Sequence, residues 1–201
     1  MGMKLLSNAF RSNRSKNTGA SQAEYLESPV DKSRVFVVHG RDEALRRSIF
    51  DFLRAIGLKP IEWDQAINMT GNPSPLVEET IDAAMKEAQA VIVLLTGDDE
   101  TKLREEFISV TDPAHERELT PQPRQNVIFE AGLALGRYPD RTIFVQVGRL
   151  RPFSDIAGRH SVRLKNTSKA RQQLAQRLKL AGCPVDLSGT DWHDAGSFDI
   201  P

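Results

Sequence analysis

The chain has 201 residues, of which 39% are hydrophobic and 27% charged, and its 27 basic residues balance its 27 acidic ones. This composition is that of an ordinary globular protein, and the zero net charge argues against a strongly basic nucleic-acid binder. The one cysteine, Cys183, excludes a disulfide framework and a zinc-finger spacing, and we interpret it as a buried structural thiol. No apolar run approaches the roughly 20 residues that span a bilayer, and the N-terminus does not read as a secretory signal, so we expect a cytoplasmic protein.

Three segments are predicted along the chain. Residues 1–32 are polar and without periodicity, which predicts a flexible tail, with a small docking arm for a partner as the alternative. A folded domain is predicted over residues 33–182. Residues 183–201 are predicted to be a C-terminal extension packed on or near that domain.

Apolar strands and amphipathic helices alternate through the folded domain. The patterns predict, in chain order, a strand at 35–38, a helix over 41–57, a weaker strand at 58–63, a loop over 66–75, a helix over 75–88, a strand over 89–97, a long charged loop over 98–123, a helix over 124–137, a strand over 141–148, a short strand near 164 and a helix over 168–182. This order predicts an α/β protein with a flavodoxin-like three-layer fold around a central parallel β-sheet. Ligands of such folds bind beyond the carboxyl ends of the strands.

The first strand is followed by His39, Gly40, Arg41 and Asp42. Gly40 permits a close turn, and the amides that begin the next helix can bind an anion. The Arg41 guanidinium suits a phosphate or carboxylate, with surface ion pairing as an equal alternative. Asp42 favours a helix cap, and His39 alone is more often structural than catalytic. The chain contains neither a G-x-G-x-x-G motif nor a P-loop.

The second and third strands also end in residues that can carry chemistry. Trp63 can stack on a base or another ring, with core packing as an equal alternative. Asp98 and Asp99 in "TGDD" could hold Mg²⁺, but no third acid stands at a convincing spacing. A solvated loop with a helix cap is therefore the favoured interpretation of this stretch.

Glu130 interrupts the most apolar helix of the chain, "RQNVIFEAGLALGR". A carboxylate between Phe129 and Ala131 must face either a pocket or solvent, because carboxylates are rarely buried without a partner or a function. Asn126 lies one turn earlier and Ala134 one turn later on the same side of the predicted helix. Small residues beside a carboxylate leave room for a ligand, and a surface glutamate is the alternative.

Three stretches taken together, "VFVVHGRDE", "AVIVLLTGDDE" and "RQNVIFEAGLALGR", resemble the bacterial Toll/interleukin-1 receptor (TIR)-like domain. The chain is similar in particular to the TIR effector modules of cyclic-nucleotide antiphage systems, which include predicted nucleotide-binding proteins. The resemblance covers about residues 34–182 and depends on the order and spacing of the three stretches.

The resemblance implies an NAD⁺ glycohydrolase that uses NAD⁺ as substrate and needs no cofactor or metal. Glu130 maps onto the family's catalytic glutamate. Gly40 and Arg41 map onto substrate contacts at the end of the first strand, and Asn126 maps onto a residue that lines the pocket. A carboxylate near the ribose stabilises an oxocarbenium-like transition state, and nicotinamide leaves without a general acid because its ring already carries the positive charge.

The resemblance also implies how the substrate is held and how the domain is controlled. Trp63 would stack on a ring of the substrate. Residues 64–75, with Gly71 at the tip, correspond to the BB loop that gates the site and mediates self-association. Bacterial relatives usually join a cyclic-nucleotide sensor, so we expect activation by a separate partner, by self-assembly or by a sensor missing from this chain. The alternatives are a non-catalytic TIR interaction module and a nucleoside deoxyribosyltransferase-like enzyme.

Overall fold

The computed structural model describes residues 31–154 and 158–199, so most of the predicted tail over 1–32 lies outside the described residues. The strands are β1 Arg34–Val38, β2 Lys59–Pro60, β3 Ala90–Leu95, β4 Asp99–Thr101, β5 Thr120–Gln122, β6 Thr142–Gln146 and β7 Val162–Arg163. The helices are α1 Glu43–Ala55, α2 Trp63–Met69, α3 Val77–Glu87, α4 Ala114–Arg117, α5 Gln125–Arg137 and α6 Ser168–Leu180.

A five-stranded parallel sheet with the order β2-β1-β3-β6-β7 forms the middle layer. Its central strand, β3, is buried along its whole length because both of its faces are covered by helices. Side chains alternate between the faces: Val37 and Ile92 belong to the core that includes α1 and α6, whereas Phe36 and Val93 belong to the core that includes α2, α3 and α5. The predicted flavodoxin-like α/β fold is confirmed.

The chain after β1 and α1 departs from the prediction. The expected strand at 58–63 is reduced to Lys59–Pro60, extended by one hydrogen bond from the Ile61 amide to the Val35 carbonyl. The expected loop after it is wrong in its first part, because α2 occupies Trp63–Met69. The Gln65 side chain accepts a hydrogen bond from the Glu62 amide at 3.1 Å and so starts the helix, and Ala66 is buried against the core.

The long charged segment after β3 has structure of its own. β4 and β5 pair as an antiparallel hairpin, and α4 and a 3₁₀ turn at Glu105–Phe107 lie between them. This hairpin brings the chain back to the start of α5, which places the predicted site helix beside the main sheet.

Residues after α6 complete the core on the α1 side. Cys183, Trp192 and Phe198 are buried there, and burial raises the pKa of the Cys183 thiol to about 11, as suits an inert structural thiol. Arg171 on α6 is only 3% exposed and donates hydrogen bonds to the carbonyls of Ala195 and Gly196. Within the described ranges, none of the helices combines the length and apolar character that crossing a membrane requires.

Candidate active site

A cleft of about 410 Å³ opens beyond the carboxyl ends of β1 and β2, within the range of small-molecule sites. Its walls come from the end of β1, the inner side of α1, the start of α2 and the middle of α5. The lining residues are Phe36, Val37, His39, Glu43, Arg46, Phe50, Ile61, Glu62, Trp63, Asp64 and Glu130. The structure therefore brings Glu130 and Trp63, which are 67 positions apart in the sequence, to one cavity.

Glu130 faces this cleft because α5 packs on the sheet through Val127, Ala131 and Ala134. Its neighbour Phe129 is 72% exposed and turns away from the core. Burial alone raises the pKa of Glu130 to about 7. Throughout the described ranges, the Glu130 carboxylate has neither a hydrogen-bond donor nor a cationic partner. A half-buried, unpaired carboxylate in a cleft is the arrangement expected of a catalytic group.

The wall beside Glu130 differs from the one expected. Ala134 is fully buried in the core and does not line the cleft. Aromatic and aliphatic side chains of other elements, Phe36, Phe50 and Ile61, provide the apolar surface instead. The cavity is thus formed between β1, α1, α2 and α5, and Glu130 is the residue that α5 contributes to its lining.

Trp63 and His39 present ring systems to the cleft. Trp63 is the first residue of α2, and its side chain is 47% exposed, which leaves ring surface free to stack on a ligand. The Nδ1–H of His39 donates to the Gly40 carbonyl at 2.9 Å, and this fixes the tautomer in which Nε2 is an acceptor when the ring is neutral.

Arg41 and Asp42, in the turn between β1 and α1, lie outside the cleft lining. The Asp98 carboxylate accepts a hydrogen bond from the Arg41 amide, and Asp42 caps α1 by accepting from the Leu45 amide at 2.9 Å. The helix cap expected of Asp42 is confirmed. Both carboxylates occupy positions that an anionic ligand would need, so the expected anion site at these amides is already partly filled by the protein.

The "TGDD" stretch is structural rather than a cluster of ligands. Asp98 secures the turn after β1, and Asp99 pairs with Arg124 at 3.5 Å. Over the part of the chain that the structure describes, no group of three or more His, Cys, Asp or Glu residues could hold a metal ion.

Gly40, Arg41, Gly71 and Asn126 are not among the lining residues. The Arg41 and Asn126 side chains are exposed, one in the turn before α1 and the other in the first turn of α5. Gly71 follows α2 with a φ of 68°, and its amide donates to the Asn68 carbonyl at 3.2 Å, so glycine is required there to end the helix.

Sequence reasoning missed the charged residues of the cleft. Arg46 pairs with Glu43 at 2.7 Å and with Glu62 at 3.2 Å, and all three side chains line the cavity. Glu43, Arg46 and Phe50 are spaced so that they lie on one side of α1. This spacing is the sequence signal that could have identified Glu43 and Arg46. The contribution of Glu62 depends on a contact across 16 positions that no local pattern reveals.

A family model described as "CAP12/Pycsar effector protein, TIR domain" matches residues 34–166, about two thirds of the chain. The chain belongs to this TIR-domain family. The match to the CAP12/Pycsar effector TIR domain includes every strand of the main sheet and every element that lines the cleft. The resemblance to bacterial TIR-like domains of antiphage effectors is thereby confirmed.

A curated relative extends beyond the TIR domain. The chain is similar to the uncharacterized protein YuaY of Escherichia coli (strain K12), with 27% identity over 160 residues, which are 79% of this chain and 48% of that protein. The chain therefore spans about half the length of the curated relative it matches.

Proposed function

We propose that this TIR domain is an NAD⁺ glycohydrolase with Glu130 as its catalytic residue. The observation that carries the proposal is the half-buried Glu130 carboxylate, which shares a cleft with Trp63 and has a pKa raised to about 7 by burial. The TIR-domain family supports the same assignment. Titratable groups with strongly perturbed pKa values in clefts are enriched in catalytic roles.

The reaction needs one carboxylate and one water. The bond between ribose C1′ and the nicotinamide nitrogen breaks, and its electron pair leaves with nicotinamide, which becomes neutral. The ionised Glu130 stabilises the positive charge that develops on the ribose, or accepts hydrogen bonds from its hydroxyls. Water then bonds to C1′ and loses a proton to give ADP-ribose, whereas attack by the adenine ring would give cyclic ADP-ribose.

The other cleft residues would position the substrate. Trp63 offers an exposed indole face on which the cationic nicotinamide ring can stack. Gly40 shapes the turn that carries His39 to the cleft edge. We retain Arg41 and Asn126 as proposed contacts of the outer part of the substrate, because both side chains are exposed near the cleft-forming elements.

Self-association is proposed for the segment 64–75 and the start of α3. Leu76 and Val77, which follow this segment, are large apolar residues that are exposed, and Gly71 forms the turn before them. Activation by a partner or a cyclic-nucleotide sensor is proposed from the family, whose description names Pycsar effectors. In the cell, the enzyme would act as an antiphage effector that depletes NAD⁺.

The experiment that tests this function follows the fluorescence of an etheno-NAD⁺ analogue over a series of concentrations of the full chain. We expect hydrolysis whose specific rate rises with concentration, since assembly completes the site. Polymerisation without any hydrolysis would instead identify an interaction module. Cleavage of deoxynucleosides with none of NAD⁺ would identify a deoxyribosyltransferase-like enzyme.

A further inference from the structure

Glu62 is held by two arginines of α1. Its carboxylate accepts from Arg54 at 2.7 Å and from Arg46 at 3.2 Å. The two guanidinium groups also lie over the ring of Phe50, at 5.1 Å for Arg46 and 5.6 Å for Arg54. We call Arg46, Arg54 and Glu62 the arginine clamp.

The arginine clamp ties the beginning of α2 to α1. Glu62 is the residue immediately before α2, and its own amide donates to the Gln65 side chain at 3.1 Å. The next residue is Trp63, whose half-exposed side chain lines the cleft. The backbone at the start of α2 carries the indole, so a shift of Glu62 displaces the Cα from which the ring extends.

The clamp contributes only modestly to the stability of the fold. Ion pairs whose side chains are about as exposed as these contribute little to folding, since solvent screens them and ordering the side chains costs entropy. Arg46 is also unsuited to bind the diphosphate of a substrate, because Glu43 and Glu62 both neutralise it. What the clamp does supply is a fixed geometry between two walls of the cleft.

We infer that Glu62 is a positioning residue, which through the arginine clamp holds Trp63 in the orientation that stacks on the nicotinamide ring. The inference rests on the proposed NAD⁺ hydrolysis for its kinetic consequence. Its structural part, the orientation of Trp63, can be measured without any substrate.

Fluorescence of the full chain reports Trp63 selectively. The chain has two tryptophans, and the other, Trp192, is only 8% exposed. Acrylamide therefore quenches mainly the fluorescence of Trp63. We expect Glu62→Gln to increase the quenching constant and lower the anisotropy, while Asp51→Asn, which removes another carboxylate near Arg54 (3.6 Å), leaves both unchanged. Unchanged quenching in Glu62→Gln would overturn the inference.

Kinetics test whether the orientation matters. We expect Glu62→Gln to raise KM for NAD⁺ about three- to tenfold with kcat within about twofold, as loss of one stacking contact would do. In a Trp63→Ala background the same change should have no further effect. Additive effects in the double variant, or a fall of kcat at constant KM, would overturn the positioning role.

Two variants keep the test decisive if Glu62→Gln folds poorly. Arg54→Gln breaks the shorter pair and leaves Glu62 in place, and Arg54→Lys restores the charge at that position. We expect the glutamine variant to reproduce the quenching change and the lysine variant to reverse most of it. If the parent chain releases no nicotinamide while these quenching changes occur, the proposed hydrolysis fails and the clamp stands.

Discussion

The Asp98 carboxylate accepts a hydrogen bond from the Arg41 amide and lies where a side chain on Gly40 would have to go. Asp98, which follows β3, thereby fixes the turn that follows β1. Because His39 adjoins this turn and lines the cleft, the contact is part of what shapes the site.

Gly40→Ala should therefore impair the site. Its Cβ would overlap the Asp98 carboxylate, and either the carboxylate or the turn must move. We expect NAD⁺ hydrolysis to fall by about 10- to 100-fold, as misplacements of about 1 Å do. Steady-state rates of folded protein check this. Adding Asp98→Ala should recover part of the loss, and a Gly40→Ala variant as active as the parent would refute the role given to this contact.

Stability should depend on pH through Glu130. The ordinary pKa of its carboxyl group, which applies in the unfolded chain, is 4.5, and the pKa in the folded protein is about 7. At pH values between the two, the folded state therefore binds a proton that the unfolded chain has released. The contribution of Glu130 to stability is therefore present at low pH and lost as pH rises through this window. We expect Glu130→Gln to raise the free energy of unfolding at about pH 8 by about 1–3 kcal/mol, with little gain near pH 4.5.

Urea unfolding at the two pH values measures this difference. Glu118→Gln is the matched control, because Glu118 is exposed and lies outside the cleft. A stabilisation of Glu130→Gln that is equal at both pH values would show that the carboxylate is not desolvated.

Catalysis should require the ionised form of the same group. We expect kcat/KM for NAD⁺ to rise with pH and to level off above a midpoint near the pKa of about 7 in the free protein. Initial rates over about pH 5.5–8.5 give the profile. A profile that falls with pH would mean that Glu130 acts as an acid, contrary to the chemistry proposed here.

Arg171 should be needed to hold the C-terminal segment. Its buried guanidinium donates to two carbonyls there, at 3.0 and 2.7 Å, and lies 5.2 Å from the ring of Phe198. We expect Arg171→Met to cost about 1–3 kcal/mol, since it leaves two half-buried carbonyls without their donor. Urea midpoints check this against Arg177→Met, an exposed position on the same helix. Equal midpoints for the two variants would contradict the assignment.

Local pattern sufficed for the main strands of the sheet and for placing Glu130 on a helix. The apolar runs of β1, β3 and β6 could only be strands covered on both faces, and a glutamate inside an apolar helix had few reasons to be there. The hydrophobic pattern did not predict α2, because its seven residues show too little periodicity and precede a loop that contains Gly and Pro.

Long-range contacts explain the rest of what sequence reasoning missed. Arg41 and Gly40 were expected in the pocket, yet neither lines it, and the Arg41 amide bonds to Asp98, 57 positions away. Glu62 and Arg46 were overlooked because each is an ordinary surface residue until the fold pairs them. Such pairings depend on tertiary structure, which hydrophobic periodicity does not encode.

The most direct test of the central claim is nicotinamide release from NAD⁺ by the concentrated full chain, compared between the parent, Glu130→Gln and the Glu118→Gln control. We expect release by the parent and the control and a loss of about 100-fold or more in Glu130→Gln, which removes the charge but keeps the shape. Equal rates of release by the parent and by Glu130→Gln would contradict it.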